Sequence, residues 1–220
     1  MNLSAQLFPQ WLLIGAWVMA GLLLLRSAWK INWLTIPQSE FTCWFGGTVG
    51  MLVLWQMKAN IQQGLTFHLI GATALTLIAG PDRARLGIAV ALGGDILDGH
   101  ADWFSMGLSW LLIGAVPTTL TWRLLKLAQR KMPHNYFVYI FFNGFAAGAL
   151  SMWLVGLGTC ALLAGVGLYP LDFLAEEQLP YYFLMGWPEA FNTGIIMTLL
   201  VVYFPQWVVT FDDLLYLKDK

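Results

Sequence analysis

Apolar residues fill long blocks of this chain, and short clusters of charged residues, proline and glycine separate them. Blocks of this length that carry almost no charge read as membrane-spanning helices, for which about 20 apolar residues are needed. Their bounds predict spans at 7–25, 41–57, 66–80, 86–97, 103–122, 136–167 and 180–204. Pro9 falls in the first turn of the first block, where its missing N–H does no harm. Pro81 ends the third. Residues 58–65 read as a short polar loop. The 136–167 block exceeds one bilayer crossing, so it is either one long tilted or kinked helix or a tight hairpin. Gly46-x-x-x-Gly50 and Gly144-x-x-x-Gly148 mark faces where another helix approaches closely.

Composition agrees. Of 220 residues, 59% are hydrophobic and 10% charged, against roughly 25% charged in a soluble domain. The expectation is an all-α integral membrane protein, residues 1–220 forming a single transmembrane helical domain. No basic n-region precedes the first block, so no cleaved signal is expected. No lipidation motif is seen. The cations decide the topology. With 136–167 as one helix, Arg26, Lys30, Arg83, Arg85, Arg123, Lys126, Arg130, Lys131, Lys218 and Lys220 share one side, and Lys58 alone takes the other. The positive-inside rule then gives seven spans, N-terminus outside and C-terminus cytoplasmic, as in a multi-pass protein of a bacterial inner membrane. Twelve tryptophans and seven tyrosines suit interfacial belts, and nothing points to nucleic acid.

Few polar groups interrupt the apolar blocks. His68 opens the third, with Gly71, Ala72, Thr76 and Ala79 on its helical face. A buried neutral imidazole is a common transition-metal ligand; the plainer reading is a histidine meeting water near the headgroups. Glu189 follows Pro188 inside the last block, where an unpaired carboxylate is expensive. It reads as a ligand, a proton carrier or a partner for His68, or else as a structural acid. Asp95 and Asp98, three apart, read first as a solvated helix end and alternatively as an anionic mouth for cations. Thr66 and Asp95 join Glu189 as groups that orient the histidine or touch a solute. Asn143 is accounted for by an interhelical hydrogen bond, and His134 lies in a basic turn. Cys43 and Cys160 read as small core residues without metal spacing. No phosphate loop, His-Glu-x-x-His or serine elbow is present. An enzyme is therefore not expected, and any ATP hydrolysis needs a separate subunit.

Several stretches resemble one family. Thr66-Phe67-His68-Leu69-Ile70-Gly71 with Ala79-Gly80-Pro81, Asp98-Gly99 through Arg123, Gly186 to Val202 around Glu189, and Pro9 near the start are similar to the CbiM/NikM-type substrate-binding membrane components of cobalt/nickel energy-coupling-factor (ECF) importers. Pro188 and Ala190 replace the glycines that flank the family's glutamate. The resemblance implies a metal site in which His68 acts with the chain's first two residues, Met1 through its amine and Asn2 through its amide or side-chain oxygen. The family has a histidine where this chain has Asn2, and a glutamate where it has Ala5. It also implies Ni²⁺ or Co²⁺ as transported substrate rather than resident cofactor, with a membrane coupling subunit and cytoplasmic ATPases as partners besides lipid. The alternative is a non-transporting assembly or interaction protein that keeps the CbiM-like fold. An intramembrane enzyme using His68 and Glu189 as base and acid has less support, because no nucleophile stands near either in sequence.

Overall fold

A computed structural model describes residues 3–62, 65–99 and 101–216, with the side chains of residues 59–62, 65, 66 and 213 not described. Met1, Asn2, His100, Lys218 and Lys220, and the Thr66 side chain, to which the sequence assigns roles or a side of the membrane, therefore lie outside the described parts.

Helix α1 covers Gln10–Lys30 and α2 covers Gln38–Trp55. A small antiparallel hairpin follows, β1 Ala59–Gln62 with β2 Leu65–Phe67, pairing Ala59 with Phe67 and Asn60 with Thr66. Then come α3 Ala72–Ala79, α4 Pro81–Leu97, α5 Met106–Lys131, α6 Tyr136–Gly165, α7 Leu171–Tyr203 and the short α8 Asp213–Tyr216. Among the described residues α1, α5, α6 and α7 are long and apolar enough to cross a membrane. The 136–167 block is one continuous helix, not a hairpin. A wide π-helical stretch, Tyr139–Ala146, sits near its start.

The third block departs most from expectation. A helix over 66–80 is predicted; the helix begins only at Ala72. Phe67 still belongs to the hairpin, and the chain turns through 68–71 before Gly71 takes φ +72°. That left-handed conformation disfavours a side chain, and it is what stops the helix from extending backward. The polar 58–65 loop is correspondingly a hairpin. Eight residues rise about 12 Å, well short of a hydrocarbon core of about 30 Å. All eight are buried, because α2, α4, α5, α6 and α7 pack around α3. Non-helical backbone at membrane depth is tolerated where protein encloses it, and α3 with the turn before it is so enclosed.

Glycines set the closest helix approach. A Cβ on Gly148 of α6 would lie 3.2 Å from the Glu189 carbonyl oxygen and the Ala190 Cα of α7. At Gly144 it would lie 3.5 Å from the Gly194 Cα. The second predicted small-residue face thus joins α6 to α7. The first does not join anything among the described residues: a Cβ at Gly46 or Gly50 would meet nothing within 4 Å. Gly50 instead lines a lateral cavity of about 290 Å³ between α2, α3 and α7, with Gly71 and Asn192.

The start of the chain folds back on the bundle. Leu3 and Phe8 pack with Leu108, Leu163 and Leu174. The Ala5 N–H donates to Asp102 Oδ2 at 3.1 Å, and the Ser105 hydroxyl donates to the Leu3 carbonyl. This anchors the first described residues to the α4–α5 connection, at the end of the bundle where α4 finishes.

Candidate functional site

His68 lies in the turn between β2 and α3, and is 2% exposed. Its Nδ1 is 2.8 Å from the Leu69 carbonyl oxygen. A carbonyl only accepts, so Nδ1 carries the hydrogen and the Nε2 lone pair is left available in the neutral ring. Nε2 is buried and has no hydrogen-bond partner among the described residues. The ring packs on Trp55, centroids 4.9 Å apart. Burial of the imidazole answers the simple expectation of a histidine at the headgroups: protein, not water, surrounds it.

Three side chains from two helices hold this turn. The indole N–H of Trp55, at the end of α2, donates to the Ile70 carbonyl at 3.1 Å. Phe67 rests on Tyr182 of α7, centroids 4.8 Å apart. Glu189, fully buried on α7, accepts from the Ile70 N–H at 2.7 Å and the Gly71 N–H at 2.8 Å. Those two N–H groups stand at the N-terminus of α3, where helix donors lack internal partners and the dipole favours negative charge. Glu189 therefore caps α3 from another helix. It reaches the His68 turn through its backbone, not by bonding the ring. Two residues on, the Thr73 hydroxyl bonds Ser151 of α6 at 2.9 Å and Thr121 of α5 at 3.1 Å. Hydroxyl bonds thus hold α3 below the turn as well.

Asp95 does not form a solvated helix end. It is 0% exposed and pairs with Lys58, whose side chain is 10% exposed. Asp98, three residues on, is exposed and lines a shallow groove with Gln56 and Leu97. Asn143 departs from expectation too: it is buried, and neither amide atom has a hydrogen-bond partner among the described residues. His134 bonds the Gln129 carbonyl through Nε2.

The turn thus links His68 to Glu189 through the backbone, while Asp95 pairs with Lys58 just before the hairpin. Thr66 enters only through its backbone pairing with Asn60. Sequence reasoning missed Lys58, Trp55 and the left-handed Gly71. Lys58 carried a signal, since it was the lone cation on its side; the other two depend on a turn the helical reading erased. Among the described residues, no cluster of three histidine, cysteine or acidic side chains could hold a metal. The turn offers one imidazole nitrogen, in a tautomer fixed by the Leu69 carbonyl.

The long apolar helices, packed around a buried and braced imidazole, define a polytopic helical membrane protein. The chain matches the CbiM family, described as the cobalt uptake substrate-specific transmembrane region, over residues 2–207, and it belongs to that family. Two solved structures share the fold. A truncated transition metal transporter aligns with TM-score 0.80 at 17% identity, covering 92% of this chain and 99% of its own. A transition metal transporter aligns with TM-score 0.79 at 17% identity, covering 91% and 92%. No curated protein matches the sequence.

Proposed function

We propose that this chain is the substrate-specific membrane component of an importer for a transition-metal ion of the Co²⁺/Ni²⁺ kind. The observation that carries the reading is the His68 Nε2: buried, unpartnered among the described residues and held in the tautomer a metal needs. Imidazole suits these borderline ions. Family membership supplies the transport context. The two structural neighbours, both transition metal transporters, point the same way.

In this reading the ion docks against His68, and the chain's beginning supplies further donors, the Met1 amine and the Asn2 amide or side-chain oxygen. Asn2 is a weaker nitrogen source than a histidine, so affinity for Ni²⁺ or Co²⁺ falls or the preferred ion shifts. Glu189 keeps the turn in shape, and Thr66 and Asp95 have the role of orienting the histidine or touching the solute. The chain works with a separate ECF membrane coupling subunit and cytoplasmic ATPases. It sits in a bacterial inner membrane with seven spans, N-terminus outside and C-terminus cytoplasmic. Equilibrium binding of Ni²⁺ and Co²⁺ to the purified chain tests the reading. His68→Ala lowers affinity by about 100-fold or more if the imidazole is a ligand, beyond the 10–100-fold of a supporting group. Unchanged binding contradicts it.

Asn2 favours one other reading, a membrane assembly or interaction protein that keeps the fold and no longer transports. Affinity purification from native membranes separates the two: ATPases accompany an importer, another membrane complex accompanies an assembly protein.

A further inference from the structure

The first strand of the hairpin brings a cation to the histidine. Ala59 pairs with Phe67 at the end of the hairpin, and Lys58 and His68 are the chain neighbours of that pair. The Lys58 ammonium does not extend to water. It closes on the Asp95 carboxylate, which is fully buried on α4. Of the chain's eleven cations, Lys58 alone falls on the His68 side in the charge pattern. A buried acid, a nearly buried ammonium and an imidazole with an available lone pair thus share one corner of the bundle.

We propose that Lys58 is a tethered cation that holds the place of the solute's charge: an ion arriving at His68 competes with it for Asp95, and loading releases the first strand of the hairpin. This rests on the importer reading of the same turn. The physics is a substitution of charge. A dipositive ion beside His68 faces Asp95 in surroundings of low dielectric, where repulsion from the ammonium is poorly screened. Lys58 lies three residues past the end of α2 and opens into β1, and among the described residues its ion pair ties the start of that strand to α4. When the pair opens, the strand loses this tie, and the empty and loaded states differ on the face the hairpin presents.

Two measurements on the purified full-length chain test this. The first is amide hydrogen exchange over residues 59–62 without metal. Lys58→Met, of similar length and uncharged, speeds exchange there, and Lys58→Arg, which keeps the ion pair, does not. Unchanged exchange in Lys58→Met overturns the anchoring. The second is titration with Ni²⁺. Lys58→Met binds about tenfold more tightly than wild type, as close charge pairs couple by such amounts, and in the wild type Ni²⁺ itself speeds exchange over 59–62. Equal or weaker binding by Lys58→Met, or greater protection of 59–62 on loading, overturns the competition. If wild type and Lys58→Met both bind no Ni²⁺, the importer reading and the competition fail together, whereas the anchoring is decided by the first measurement alone. Thermal melts of both variants confirm that the comparison is between folded proteins.

Discussion

Two carboxylate bonds decide the shape of the His68 turn. Glu189 accepts from two successive backbone N–H groups, which an amide cannot match, because only one of its two atoms accepts. Glu189→Gln therefore turns an N–H₂ against one backbone N–H. The expected loss is about 1–3 kcal/mol of stability, read as a lowered midpoint in a detergent thermal melt. Because the turn carries His68, metal affinity drops by about 10–100-fold as well, as it does when a ligand's support is removed. Gly71 tests the same turn from the backbone side. At φ +72° a Cβ is strained, and it would also sit 3.4 Å from Met51 Cγ; Gly71→Ala costs about 1–2 kcal/mol. A melt as high as wild type contradicts the left-handed assignment.

At the scale of elements, helix approach and helix exposure lead to opposite predictions for two glycine pairs with the same spacing. Gly148→Val drives a branched side chain into the α7 backbone at Glu189 and Ala190. It destabilises the fold by about 1–3 kcal/mol through overpacking, and it displaces the acid that caps α3. Gly46→Val meets open space and leaves the purified chain's melting midpoint within the range of a surface change, about 0.5 kcal/mol either way. Equal losses in both variants contradict the packing described. These elements also mark how far the sequence can be read. Apolar blocks located the helices, because burial in lipid imposes a long uninterrupted pattern. The same uniformity hid the turn at 68–71: Leu69 and Ile70 are as apolar as the helix after them, and the backbone's polar groups find partners on α2 and α7 that lie far away in sequence. His68 and Glu189 stood out as polar groups in apolar blocks. Their link through Ile70 and Gly71 did not, since backbone N–H groups leave no trace in residue type. Asp95 misled for a related reason: its partner, Lys58, lies 37 residues earlier, across a loop read as solvated.

For the whole molecule, the account sets the His68 turn, the Lys58–Asp95 pair and the anchored start of the chain at one end of a bundle whose other end carries most of the cations. The proposed orientation, with that cation-rich end facing the cytoplasm as the positive-inside rule requires, is open to labelling. In a background lacking Cys43 and Cys160, a membrane-impermeant maleimide labels Ser4→Cys and Asp98→Cys in intact cells, and labels Lys126→Cys only after permeabilisation; the reverse pattern contradicts the orientation. The central claim is that the His68 Nε2 receives a metal ion, and anomalous scattering from a crystal of the chain loaded with Ni²⁺ or Co²⁺ tests it most directly. The account predicts a metal peak about 2 Å from Nε2 of His68, as for other metal–imidazole bonds, with Glu189 still bonded to the backbone rather than to the ion. A peak elsewhere in the bundle, or a loaded crystal with no metal at this nitrogen, contradicts it.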